Sequence, residues 1–546
     1  DTGFSLHLAK LFAEPWQYQR AHAQLLWQFD ELGFTLKSPY LQVHGEEGEI
    51  GGDFLIRLLK DPTAEDYMDL RVGLRDGDAR FTGKYLPSRV PGFSDELEHW
   101  LNTAIQAGHV EQGYFQYQGS LNKGAAPESR SISLYFAVRE AQLEYQPGWP
   151  ALKDAVGQVL IEDSGVRIHI EQGRILDSPV TAAYGEVLYG SAGQVPVLQL
   201  HAELQSNVAD GLYFLQKTPI AQGVTEFAQW QGSGTLPVSL DLTVPLAAQQ
   251  PVHIKLDMNA QQVVLHMPAI NVQLRQLSGL FKFDSQRGLS AKRVSGEFLG
   301  QSFSGHIDAE GSGQQLRTHI DVQGLMPIER LTQWAQITQP LPVSGKLPYR
   351  LRVLLEGEDS QLRIDSSLLG VNVDLPAPFA KTAEQQSYAD WRMTLAGAER
   401  RYWFDYADQL SLSLAAAPDA ILAGRAQLRV GGGLARLPAQ AGLQVRGRLN
   451  QLDLADWQAL LQRYKLSEKN SRQLLNSANL DIRRFNAFGV QADNLTMGLQ
   501  SQTHGWQLTL DSQQLKGQIV ERGDKEPLTV HFTHLYLPES AVQSAV

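Results

Sequence analysis

The sequence has no cysteine, which excludes disulfides, thiol nucleophiles, zinc ribbons and iron–sulfur clusters. It also lacks any run of about 18 apolar residues, the length a helix needs to span a bilayer. The most apolar stretch, Leu410–Gly424, is interrupted by Ser411, Ser413, Pro418 and Asp419. Positive charge is in deficit: 47 basic residues face 59 acidic ones, a net charge of −12. Nucleic-acid phosphates and anionic lipid headgroups therefore repel the chain, non-specific binding to either is not expected, and no nucleic-acid partner is expected. Charge of either sign is sparse at 19%, below the roughly 25% of an ordinary soluble domain. The chain must therefore bury or cover much apolar surface. Catalytic phrases are missing too, with no Gly-x-Ser-x-Gly elbow, no phosphate-binding loop and no His-Glu-x-x-His.

What is present is period-two alternation. Val238, Leu240, Leu242 and Val244 alternate with Ser239, Asp241 and Thr243, and Val252, Ile254, Leu256 and Met258 with His253, Lys255 and Asp257. The same rhythm runs through Val166-Ile168-Ile170, Leu351-Val353-Leu355, Val371-Val373-Leu375, Leu410-Leu412-Leu414, Leu443-Val445, Trp506-Leu508-Leu510 and Leu528-Val530-Phe532. Such runs, separated by Gly, Asn, Asp, Ser and Gln clusters, predict antiparallel strands with one apolar and one solvated face.

Helical signals are few: Asp95–Ala107, Ile220–Trp230, Ile328–Ala335 and Leu454–Leu475. The N-terminal stretch Leu6–Leu32 is a further candidate that Pro15 would break. The first four each carry a tryptophan (Trp100, Trp230, Trp334, Trp457), and two are followed by the same Gly-x-Leu-Pro-x-x-Leu phrase, Gly234–Leu240 and Gly345–Leu351. This predicts a degenerate repeat of one short helix and several meandering strands. At about 150 residues per domain the length predicts three or four units, which we divide as 1–145, 146–380 and 381–546.

Candidate chemistry is thin. His306-Ile307-Asp308 and His319-Ile320-Asp321 each place an imidazole and a carboxylate on one strand face, as a metal site or, more simply, as the wet side of a hairpin. His44, Glu46, Glu47 and Glu49 lie among glycines and predict an exposed turn rather than a hard-cation site. The tryptophans predict helix-to-sheet packing. No metal, cofactor or catalytic residue is expected. Four short helices cannot cover the strands implied, and the pattern alone leaves two arrangements: closed sandwiches, or an open sheet whose apolar face holds a hydrophobic ligand.

Longer phrases bear on the choice. Tyr85-Leu86-Pro87, Leu97–Val110 closing on Gly113 and Gly119-Ser120-Leu121, and Gly370–Lys381 resemble the large AsmA-like proteins of the YhdP type. So do Trp149–Leu152, Leu452–Trp457, Phe485–Gly489 and Leu535–Pro538. Ala380 departs from the pattern, standing where the family is expected to carry glycine. The resemblance implies a mainly β fold: an elongated, twisted antiparallel sheet forming a repeated β-groove with an apolar concave face and a few short helices. It implies an envelope protein of Gram-negative bacteria that is not an enzyme. Such a protein carries phospholipids across the periplasm between inner and outer membranes, anchored in the inner membrane by a segment this chain lacks, with outer-membrane or periplasmic proteins as further partners. Under it, the groove lining is Val166, Ile168, Ile170, Val238, Leu240, Leu242, Ile254, Leu256, Leu351, Val353, Val371, Val373, Leu412, Val445, Leu508 and Val530. The competing expectation is a periplasmic β-sandwich enzyme or binding protein acting on envelope polysaccharide.

Overall fold

A computed structural model describes residues 2–90, 93–122, 124–188, 195–223, 227–246, 250–464, 475–502, 505–523 and 527–536. The chain divides into two compact units, Asp1–Gln286 and Arg287–Val546. Both are mainly β. In the first, strands from Thr2–Leu6 to Val272–Asp284 pair almost entirely with their neighbours in sequence, always antiparallel. In the second, the ladder runs from Gly288–Phe298 to Thr529–Leu535. Neither ladder closes on itself, since no first and last strand of a unit pair with each other among the described residues.

The antiparallel expectation fails at one place. Arg425–Val430, Gly442–Leu449 and Leu475–Ala487 run parallel, as do Leu452–Asp453 and Leu475–Ala487. Parallel neighbours cannot be joined by a tight hairpin and need a crossover. Here the crossover from Gly442–Leu449 to Leu475–Ala487 includes a helix.

Among the described residues there are four α-helices: α1 (Asp95–Ala104), α2 (Val208–Lys217), α3 (Ile328–Trp334) and α4 (Leu454–Arg463). Their starts at 95, 208, 328 and 454 are nearly evenly spaced. Each interrupts the connection between two strands that pair with each other: Tyr67–Asp78 with Ile105–Ser120, Val197–Leu204 with Val238–Pro245, Arg317–Pro327 with Val343–Leu355, and the parallel pair around α4. Ser94, Asn207 and Asp453 cap three of them by accepting from the backbone N–H of Leu97, Asp210 and Ala455. The repeat is thus a helix inserted between paired strands.

Three helix expectations need correction. Leu6–Leu32 is not helical: Thr2–Leu6 and Trp16–Phe29 are paired strands, the second starting directly after Pro15. Ile220–Trp230 gives a 3-10 turn at Pro219–Gly223, residues 224–226 lie outside the described residues, and the helix of this repeat is α2, upstream. Trp230 therefore belongs to no helix. Leu454–Leu475, which the pattern divides into two helices, is helical from Leu454 to Arg463, and the second helix falls on residues 465–474, outside the described residues.

Candidate functional site: an apolar strip on each ladder

Residues paired across neighbouring strands share a face, so the register shows what the alternation builds. In the first unit one row reads Leu74, Gly113, Phe136, Val159, Ile168, Gly185, Leu200, Leu242 and Ile254, each opposite the next. Val166 lies in the neighbouring row with Ile161, Val187, Leu198 and Val244. On the other side run Gly157, Ile170, Ala183, Ala202, Leu240, Leu256 and Phe283, then Leu204, Val238, Met258 and Phe281. The eight residues expected there to line a groove thus stand in four adjacent rows of one face.

The second unit repeats the arrangement. Val322, Leu351, Ile364, Trp391, Phe404, Leu412, Leu428, Val445, Ala478, Leu499, Leu508, Ile519 and Val530 form one unbroken cross-strand row. Val353 stands in the row beside it, with Ile307, Ile320, Leu362, Met393 and Tyr402. The parallel pairings preserve the row: a parallel partner, like an antiparallel one, keeps its side chain on the same face.

The helices cover only one end of the strands on this face. Val208 and Leu212 of α2 pack on Ala260 and Val263, with Trp230, Leu236 and Phe281 around them. Ile328 of α3 packs with Leu368, Val371, Val373 and Tyr406. Trp457 of α4 lies against the cluster of Phe379, Val430, Leu449, Leu480, Ile482, Leu495 and Leu510, its ring 6.1 Å from that of Phe379. Asp374 fastens the end of this helix, accepting from Arg463 Nη1 and the Tyr464 hydroxyl, each at 2.7 Å. The helix-to-sheet role expected of the tryptophans holds for Trp457, and Trp334 meets Phe298 edge-on.

Beyond these seals the rows remain half-buried. Val166, Ile168, Ile170, Val238, Leu240, Leu242, Ile254, Leu256, Leu351, Val353, Leu412, Val445 and Leu508 all fall in this class. Val445 and Leu508 flank the sealed cluster under α4, and Ile170 and Leu240 flank a smaller one of Val180, Ala183 and Ala202. Three expected lining residues are placed otherwise. Val371, 1% exposed, and Val373 lie inside the core sealed by α3, whereas Val530 is half exposed on the last described strand. The alternation had not marked Phe136, Trp391 and Phe404, nor the floor formed by Gly113, Gly185, Ala183 and Ala202. Only the cross-strand register brings these into the strip.

The opposite face is polar and charge-paired. Asp241 lies between His201 and Lys255 in register, and the His201 ring meets its carboxylate at 2.8 Å. Asp241, then burial acting in the opposite sense, then Glu203 together leave the His201 pKa above its ordinary value. Arg350 grips Asp321 with two nitrogens, and Arg392 reaches Asp405 at 3.0 Å. The two His-x-Asp pairs face each other, His306 opposite Asp321 and Asp308 opposite His319. Arg350 already occupies Asp321, and among the described residues no group of three such side chains is arranged to hold a metal ion. The glycine-rich turn is less exposed than expected: Glu47 is buried against Lys84 and Tyr85.

Among the described residues no helix is long and apolar enough to cross a membrane. No curated protein and no solved structure gives a significant match to the sequence. The family model described as YhdP protein matches residues 2–546. With essentially the whole length matched, the chain belongs to the YhdP family.

Proposed function

We propose that this chain is a segment of a lipid conduit, in which phospholipid acyl chains lie on the apolar strips and headgroups stay toward water. The YhdP family is an envelope family, and membership points to a lipid-transport role. The observation that carries the finer reading is the unbroken row from Val322 to Val530, aliphatic and aromatic throughout, whose side chains are half-buried or exposed apart from Ala478, with Leu428, Val445, Leu508 and Ile519 bordering the cluster sealed under α4. Each methylene transferred from water to such a surface gains about 0.8 kcal/mol, so an acyl chain is held without a polar anchor. A surface that binds by area alone holds no chain at a fixed position, as passage along it requires. The reading places the strip in the periplasm, between inner and outer membranes, with phospholipid as cargo and no bond made or broken.

The test is lipid mass spectrometry on the purified chain, with Leu240→Asp and Val353→Glu as the variants. Several phospholipids per molecule are expected in the wild type, with fewer in each variant and loss of transfer between vesicles, while circular dichroism stays strand-rich. Background lipid in a folded wild type would sink the conduit reading.

A further inference from the structure

The polar face of the second unit is not uniform. The acidic excess of the chain belongs to Asp1–Gln286, and residues 287–546 are close to charge balance. Over much of that face an arginine meets a carboxylate, as Arg350 does Asp321 and Arg363 and Arg392 do Asp390. On the strands Gly442–Leu449 and Leu475–Ala487 arginines outnumber the carboxylates beside them. Arg446 and Arg448 alternate with Val445, Gly447 and Leu449, so they project from the polar side. Among the described residues Arg446 makes one side-chain hydrogen bond, to Gln444 Oε1 at 3.5 Å. Arg448 is 85% exposed along its side chain and stands 3.6 Å from Asp481. Arg483 and Arg484 follow, both exposed. The alternation breaks here, with Ile482 and Phe485 both packed in the cluster under α4 and Asn494 on the paired strand at φ +52°, so both arginines lie away from that cluster, and Asp493 is opposite Arg484 in register. Four arginines are interleaved with two aspartates.

Two exposed apolar side chains flank them. Phe488, 85% exposed, is the turn residue directly after the strand that carries Arg483 and Arg484. Leu434, 71% exposed, sits in a segment laid over the polar face, where Ala435 and Arg436 donate their backbone N–H groups to Ser411 Oγ and Gln427 Oε1, each at 2.9 Å. That segment begins against Arg448: a Cβ on Gly431 would lie 1.5 Å from the Arg448 carbonyl oxygen.

We propose that this face docks on an anionic lipid leaflet, with Arg446, Arg448, Arg483 and Arg484 on the phosphates and Phe488 and Leu434 entering the headgroup boundary. A protein partner would call for a contiguous apolar centre ringed by polar residues. Here the apolar groups are separate tips beside guanidinium groups, the composition of an interfacial anchor. Guanidinium forks suit phosphate oxygens, and the surplus of positive charge selects a negative surface over a zwitterionic one. The site is on the opposite side of the sheet from the apolar strip and does not depend on lipid carriage.

Flotation of the purified chain with vesicles of phosphatidylcholine, with and without phosphatidylglycerol, tests this. The chain is expected to float only with the anionic vesicles and to be released by salt. Arg448→Glu combined with Arg484→Glu should lower the partition at least about tenfold, since each arginine near the surface contributes about fivefold. Phe488→Ser should lower it severalfold, whereas Val353→Glu, on the other face, should lose carried lipid and keep flotation. Equal flotation with phosphatidylcholine alone, flotation that survives the arginine reversals in a folded variant, or no flotation with either vesicle would each overturn the proposal.

Discussion

Glu47 sits in the turn between the strands Gly33–Gly45 and Gly48–Leu59, where the sequence shows only acids among glycines. Its carboxylate is buried, paired with Lys84 and accepting from the Tyr85 hydroxyl at 3.0 Å, while Tyr85 in turn meets Tyr18 at 3.1 Å. Burial pushes the Glu47 carboxyl up, but the Lys84 ammonium, a backbone N–H and the Tyr85 hydroxyl together outweigh it and hold it below the usual carboxylate range. A folded pKa below the unfolded one contributes stability that is present above the unfolded value, about 4.3, and is lost as pH falls through the folded value. Glu47→Gln should therefore cost about 1–3 kcal/mol at neutral pH, because the half-buried Lys84 ammonium loses its charged partner. In urea unfolding the gap to the wild type should close as the solution is acidified below that range. A gap that stays constant with pH would mean that packing, not charge, holds the turn. Nothing in the sequence joined Glu47 to Lys84, 37 residues away. The pairing depends on how the 3-10 segment Ala79–Tyr85 folds back over the hairpin.

At the level of single elements, legibility followed the number of wet faces. Strands with one solvated face, such as Val238–Pro245 and Gly165–Ile175, were plain in the alternation. Trp16–Phe29 was not, because the register shifts between Gln24 and Leu26 and brings two leucines together, breaking the period of two. The result imitates a helical run. Helix α2 lies outside the expected helical segments although its signals are in the sequence: Asn207 as cap, and Val208, Leu212 and Leu215 at helical spacing. The repeated Gly-x-Leu-Pro phrase gained a physical meaning. Gly234 and Gly345 have φ values of +115° and +106°, a left-handed region that side chains resist. At Gly345 a Cβ would also lie 2.2 Å from the Gly370 carbonyl oxygen, whereas at Gly234 the nearest atom is Val263 Cα at 3.1 Å. Gly345→Ala is accordingly expected to cost about 2–3 kcal/mol and Gly234→Ala about 1 kcal/mol, read as unequal falls in thermal midpoint. Equal falls would mean that backbone conformation alone sets both positions.

For the whole molecule, composition and alternation gave the class of fold and the existence of apolar faces. They did not say which parts of those faces are closed. Val371 and Val353 read alike in sequence, yet one is sealed beneath α3 and the other stands half-buried on the strip. That difference depends on where the segment after Ser366 folds over the sheet, which no local pattern encodes. Each unit builds its strip from its own strands, so a charge placed in one should leave the other loaded. Val353→Glu is expected to remove only part of the lipid recovered by mass spectrometry, and Leu240→Asp another part. Loss of all lipid from either single variant would argue for one shared binding site.

Because nearly every strand pairs with the one before and after it in sequence, most of the chain can assemble by adding hairpins, with little loop entropy to overcome at each step. Such an architecture accepts the gain or loss of an entire hairpin, since an even number of strands returns the chain to the same edge and the same facing. The segment from Gly442 to Ala487 has no such freedom. There the third strand must wait for a helix to travel back along the sheet, so deletions around α4 should trap folding intermediates, and length variation among descendants of this sequence should accumulate everywhere except across that crossover.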